Sequence, residues 1–187
     1  DSGNRKKIWL HQLVHFFGSE AWIPISIGLI AAHSRANEEF DRHLEIMDLQ
    51  YERQSPELIV DRYQDPFILG FSTYIWNINL SLEVARLAKK RFPNVLIVFG
   101  GPSAPAGEVE AEAFLRKNDF VDILVSGEGE TAFLDLCHAK LNGLDLKDVL
   151  SLAWLDQNDF FQTPERKMTK DMDLLASPYI DGTFEKI

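Results

Sequence analysis

The chain has 187 residues, 45% hydrophobic and 26% charged, and its 19 Lys and Arg against 29 Asp and Glu give a formal charge of −10. This is ordinary globular composition, enough for one α/β domain with a sizeable core, and it excludes wholesale disorder. The acidic balance, with a pI of about 4.9, argues against wrapping a nucleic-acid backbone, because the counterion-release contribution would have the wrong sign.

No apolar run approaches the roughly 18 residues of a membrane span, and the charged start, residues 1–7, does not read as a signal peptide. The lone Cys137 has no cysteine to pair with and cannot build a cysteine-held cluster. It sits on the apolar stripe Phe133, Leu134, Cys137, Leu141 and reads as a core thiol. A cytoplasmic protein without membrane or nucleic-acid partners is expected.

In chain order, residues 8–17 read as a first strand. Pro24 stands just ahead of an apolar helix over 25–36, where a missing N–H is tolerated. A second strand is expected within 44–51. Ser55-Pro56-Glu57 looks like an N-cap followed by Pro at the first helical position, opening a short helix to about residue 63. Residues 67–74 form a nearly continuous apolar run, as expected of a strand covered on both faces. Ile78, Leu82, Ala85, Ala88 and Phe92 then recur at helical spacing.

A fourth strand over 95–99 runs straight into Gly100-Gly101-Pro102. A helix over 109–117, a fifth strand over 123–125 and a last helix over 130–141, ended by Asn142-Gly143, complete the series. Five β-then-α units imply a parallel, doubly wound, flavodoxin-like five-stranded sheet of order 2-1-3-4-5. Residues 152–155 and 160–163 flank the turn-rich Asp156-Gln157-Asn158-Asp159, which predicts a C-terminal β-hairpin. Beyond Arg166 the periodicity is lost and the chain reads as a linker. The expected division is a binding domain over 5–150 and a hairpin and linker over 151–187, belonging to something longer.

In such a fold, ligands lie at the carboxyl ends of the strands. Four loops meet there: Phe16-Phe17-Gly18-Ser19-Glu20-Ala21-Trp22, Ser72-Thr73-Tyr74-Ile75-Trp76-Asn77, Gly100-Gly101-Pro102-Ser103 and Gly127-Glu128-Gly129-Glu130. The rim combines small residues, hydroxyls, an amide and large aromatics. That suits a large, flat, mostly apolar ligand with a few polar handles. Neither a GxxxxGK[ST] nor a GxGxxG run is present. Each glycine pair taken alone is also explained by a strand-to-helix turn.

Four runs together, IPISIGLIAA, FSTYIWN, FGGPSAP and VDILVSGEGETAFLDL, resemble the N-terminal cobalamin-binding domain of B12-dependent radical SAM enzymes over residues 8–141. The stretch SPYIDGTF resembles the lead into their catalytic barrel. The resemblance implies that cobalamin is the cofactor and that a radical SAM domain of a methyltransferase, with S-adenosylmethionine and a [4Fe-4S] cluster, lies downstream in the same polypeptide. It implies that Ser72, Thr73 and Tyr74 line the dimethylbenzimidazole tail and that Trp76 and Asn77 flank the corrin or its amides. Gly100, Gly101 and Pro102 would let the tail pass, Gly127, Glu128 and Gly129 would close the opposite wall, and Phe17 and Gly18 would belong to the strand-1 loop.

The DxHxxG pattern of methionine-synthase-like domains is broken here. The nearest match, Leu13-Val14-His15-Phe16-Phe17-Gly18, has Leu13 where the Asp should stand. The expectation is base-off cobalamin with no histidine of this chain on cobalt and no protein metal ligand. His11 and His15 lie on one face of a strand and not on a metal-binding helical turn. Glu128 and Glu130 read as a polar loop at a helix start. The family's CxxxCxxC motif is absent, so these 187 residues are expected not to cleave S-adenosylmethionine alone. A flavodoxin-like domain binding a flavin or a protein partner, and a degenerate domain without cofactor, are the alternatives.

Overall fold

The computed structural model describes residues 5–14, 22–185 and 187. Its centre is a seven-stranded sheet of order β2-β1-β3-β4-β5-β6-β7. The first five strands are β1 (Lys6–His11), β2 (Leu44–Ile46), β3 (Pro66–Ser72), β4 (Leu96–Gly100) and β5 (Ile123–Val125). They pair in parallel, in the order that the alternation of strands and helices predicts.

The strand count exceeds the expected five. The hairpin β6 (Leu152–Asp156) and β7 (Asp159–Gln162) adds to β5 in antiparallel fashion and prolongs the same sheet. Trp154 stacks on Phe161 across the hairpin, with ring centroids 5.4 Å apart. Its two-residue loop places Gln157 at a φ of 55°.

Side chains alternate across the sheet and build two cores. Ile8, Leu10, Ile68, Val98, Ile123 and Val125 face one layer, with α1 (Ile25–Arg35), α2 (Glu38–His43) and α6 (Gly129–Asn142). Trp9, Leu69, Phe71, Ile97, Phe99 and Leu124 face the other, with α3 (Pro56–Asp61), α4 (Ile78–Arg91) and α5 (Glu108–Lys117). Cys137 is fully buried in the first core, where burial pushes its thiol pKa well up.

Local chemistry sets the helix ends. Ser55 accepts from Leu58 N with Pro56 in the first turn of α3, as expected. The short α2 was not anticipated. Asn37 caps it by accepting from Phe40 N at 2.9 Å, and its anchor is the buried Phe40. Pro24 supplies no side-chain cap to α1. Instead Gln12, just beyond β1, accepts from Ser26 N at 3.0 Å and Ile27 N at 3.4 Å.

The predicted first strand was longer than β1. Past His11 the chain leaves the sheet, though Gln12 N and Val14 N still bond to Gln50 O and Tyr51 O. Beyond the hairpin, Phe184 packs over Gly28 of α1, and Arg35 donates to Thr183 Oγ1 at 3.1 Å.

Candidate cofactor cleft

A cleft of about 270 Å³ opens at the carboxyl ends of β1, β3, β4 and β5, between the sheet and the α1 and α6 layer. The strand register divides it into two levels. Leu10 pairs with Gly70 and Gly70 with Val98, and these three form the lower level with Phe133 of α6 and Ile27 and Ile30 of α1. Two residues higher, Ser72 pairs with Gly100, and Val125 stands beside them. Gly70 is what opens the floor. A Cβ there would stand 2.8 Å from Leu10 Cδ2 and 3.4 Å from Phe133 Cε2.

The mouth is polar and loop-built. Ser26 Oγ and Tyr74 OH share a hydrogen bond of 2.6 Å that links α1 to the β3 loop. Gly127 has a φ of +69°, and a Cβ on it would meet Glu165 Oε1 at 2.7 Å. Glu128 accepts from Thr169 N at 2.7 Å. The segment after the hairpin thus braces the α6 side of the cleft.

Of the residues singled out in sequence, Ser72, Tyr74, Gly100, Gly101, Pro102, Gly127, Glu128 and Gly129 gather in this cleft. Thr73, Trp76 and Asn77 do not line it. Thr73 is fully buried, and both its N and its Oγ1 donate to Gly100 O at 2.7 Å. Asn77 is also fully buried. Its Oδ1 accepts from Tyr74 N at 2.8 Å and its Nδ2 donates to Ser72 O at 3.1 Å, so the amide holds the loop in shape from outside the cleft. Trp76 is half exposed at 49% and stacks on Tyr74 at 4.6 Å and 13°. Phe17, Gly18 and His15 lie outside the described residues.

Gly101 lines the cleft and also has a task within the fold. At a φ of +90°, its Cβ would meet Thr73 N and O at 2.8 Å. Its role is to let the β3 and β4 loops close on each other, where Ser103 N donates to Thr73 O at 3.0 Å.

His11 is fully engaged behind the cleft. Nδ1 bonds to Gly70 O at 2.9 Å and Nε2 to Tyr63 OH at 2.7 Å, with Phe71 stacked at 4.3 Å. Burial lowers its pKa from 6.5 to about 4. The sequence reading missed Gly70, Ser26, Ile30 and Phe133. A lone glycine inside an apolar strand run was the available signal, since it marks close approach of a ligand or backbone.

The B12 binding domain family matches residues 19–137. A cobalamin-dependent radical SAM methyltransferase, TokK, of Streptomyces tokunonensis is 31% identical over 175 residues, covering 92% of this chain and 25% of the relative. A 2-(S-pantetheinyl)-carbapenam-3-carboxylate methyltransferase of Streptantibioticus cattleyicolor is 34% identical over 137 residues, 68% of this chain and 19% of the relative. The chain therefore spans a quarter or less of their length.

Among solved structures, the radical enzyme OxsB with aqua-cobalamin and S-adenosylmethionine bound superposes with a TM-score of 0.72 at 17% identity, over 97% of this chain and 25% of that one. The methyltransferase TsrM from Kitasatospora setae, with cobalamin and a [4Fe-4S] cluster bound, gives 0.62 at 14% identity, over 93% and 31%. These two likenesses concern the fold. With a family match over well over half its length, the chain belongs to the B12 binding domain family.

Proposed function

We propose that this domain holds cobalamin base-off, as the cofactor module of a radical SAM methyltransferase whose catalytic domain lies downstream in the same polypeptide. The observation that carries the reading is the cleft itself. At about 270 Å³ it is slightly smaller than the roughly 300–1,000 Å³ of pockets that enclose a drug-sized ligand. It suits the nucleotide tail, with the corrin lying over the loops above. Gly70 supports this, because it lines the floor without a side chain of its own, and one there would press on Leu10 and Phe133.

In this reading Ser72, Tyr74, Gly100, Gly101 and Pro102 line the tail's entry, and Gly127, Glu128 and Gly129 form the opposite wall. Thr73 and Asn77 act one step back, by fixing the loop that carries Ser72 and Tyr74. Trp76 stands at the outer rim on the corrin side; Phe17 and Gly18, outside the described residues, are assigned to the strand-1 side by the sequence resemblance alone. The cofactor supplies methyl carriage on cobalt; the chain supplies orientation and shielding.

Base-off binding without a protein histidine is supported by His11, whose two ring nitrogens are already bonded, and by Leu13 in place of the Asp that the cobalt-ligating pattern needs. Residues 5–150 would carry binding, and 151–187 would lead toward the catalytic domain, which would bring S-adenosylmethionine and the [4Fe-4S] cluster. The same reading places the protein in the cytoplasm.

Absorbance of protein reconstituted with hydroxocobalamin tests the reading. A retained corrin band is expected, and its absence after desalting refutes binding. Electron paramagnetic resonance of the Co(II) form tests the base-off state: nitrogen superhyperfine splitting from an axial ligand would overturn it, and loss of such splitting in His15→Ala would identify the residue responsible.

A further inference from the structure

We propose that the floor of the cleft selects the base at the end of the corrinoid's nucleotide tail, accepting a benzimidazole and disfavouring a purine. The proposal rests on the reading that the tail enters this cleft. Its warrant is the difference between the two levels. The lower level is carbon: the side chains of Leu10, Ile27, Ile30, Val98 and Phe133 around the bare Gly70.

The backbone polar groups there are already bonded. Residues 8–11, 68–72 and 96–100 run in paired strands, and Gly70 O additionally bonds His11 Nδ1. Hydroxyls begin one level up, at Ser72, and at Ser26 and Tyr74, which are bonded to each other.

A benzimidazole presents only carbon on the edge that enters first. A purine presents ring nitrogens and an exocyclic amine or carbonyl on that edge. On this floor those groups lose their water and gain no partner, a penalty that is not offset elsewhere. Discrimination should reach roughly 10- to 100-fold, the range for an apolar pocket rejecting a polar analogue of similar shape.

Equilibrium titrations of the 187-residue chain, followed by absorbance, would compare cobalamin, the adenine-bearing cobamide and cobinamide, which lacks the nucleotide. The expected order is cobalamin tightest, the adenine form about 10- to 100-fold weaker, and a smaller gap in Val98→Thr, which puts a hydroxyl on the floor at nearly constant volume. Equal affinity for the two complete cobamides, both above cobinamide, overturns the selectivity and leaves cobalamin binding standing. Equal affinity for all three places the tail outside the cleft and also overturns it. Failure of all three to bind defeats the functional reading and the selectivity together.

Discussion

Replacing Gly70 with valine isolates the cleft from the fold. The first new atom meets Leu10 Cδ2 at 2.8 Å and Phe133 Cε2 at 3.4 Å. Both are side-chain ends, so a shift of Leu10 absorbs the Cβ, at the cost of about 1–3 kcal/mol typical of overpacking. Against that, glycine in a strand interior is itself worse by roughly 0.5–1 kcal/mol, and valine suits a pleated strand. The net change in stability should lie within about 2 kcal/mol.

Binding is different, because the valine and the displaced Leu10 side chain together take up room in a space of only about 270 Å³. Loss of affinity should be about 100-fold or more, equivalent to about 2.7 kcal/mol. Titration of hydroxocobalamin by absorbance, beside far-ultraviolet circular dichroism of the same samples, measures both quantities. Gly143→Ala is the control. Gly143 has a φ of +65° and nothing within 4 Å of an added Cβ, so it should lose about 1–2 kcal/mol of stability and keep its affinity. Native dichroism with unchanged affinity in Gly70→Val would show that the tail does not occupy the floor.

Gly101→Val should destabilise the whole domain, because the clash is with the Thr73 backbone at positive φ; a loss of about 2–4 kcal/mol by urea denaturation is expected, and an unchanged midpoint would contradict it. Asn77→Ala removes both bonds that shape the β3 loop and should cost about 1–3 kcal/mol, with weakened cobalamin binding although the side chain lies outside the cleft. His11 predicts a pH dependence. Its folded pKa lies below the unfolded value, 6.5 to about 4, so its contribution is full above pH 6.5 and is lost as pH falls toward 4. At about 1.4 kcal/mol per unit this amounts to roughly 3 kcal/mol, and urea denaturation at pH 7.5 and 4.5 should show a smaller loss in His11→Gln than in the native protein.

The strand order and the rim loops were legible because β3, β4 and β5 are compact apolar runs closed by a glycine or small-residue turn. Burial on both faces leaves little freedom in such runs. What escaped was set by distant partners. The hairpin's attachment depends on Ile123 meeting Trp154 across the sheet, which local alternation does not encode. Helix α2 is six residues long, too short for a periodic signal.

In the cleft, Thr73 and Asn77 looked like polar handles because both are hydrogen-bonding residues in a loop at a strand end. Whether such a group faces a ligand or a backbone carbonyl is decided by the neighbouring loop, here Gly100 O for Thr73. Gly70 was hidden for the opposite reason: it contributes by what it lacks.

The hairpin that prolongs the sheet also changes what kind of strand β5 is. Three residues long and unpaired on one side, it would have been an open template beside the cleft. Pairing with β6 moves that open edge two strands outward, about 10 Å at the usual strand spacing. The new edge, β7, begins and ends on the exposed Asp159 and Gln162, with Gln162 tied to Ala106 O and Arg116 to Asn158 O. Fraying or unwanted strand addition therefore begins on a short strand with polar ends, while β5, which carries Val125 and leads into the Gly127 loop, stays an interior strand of the sheet.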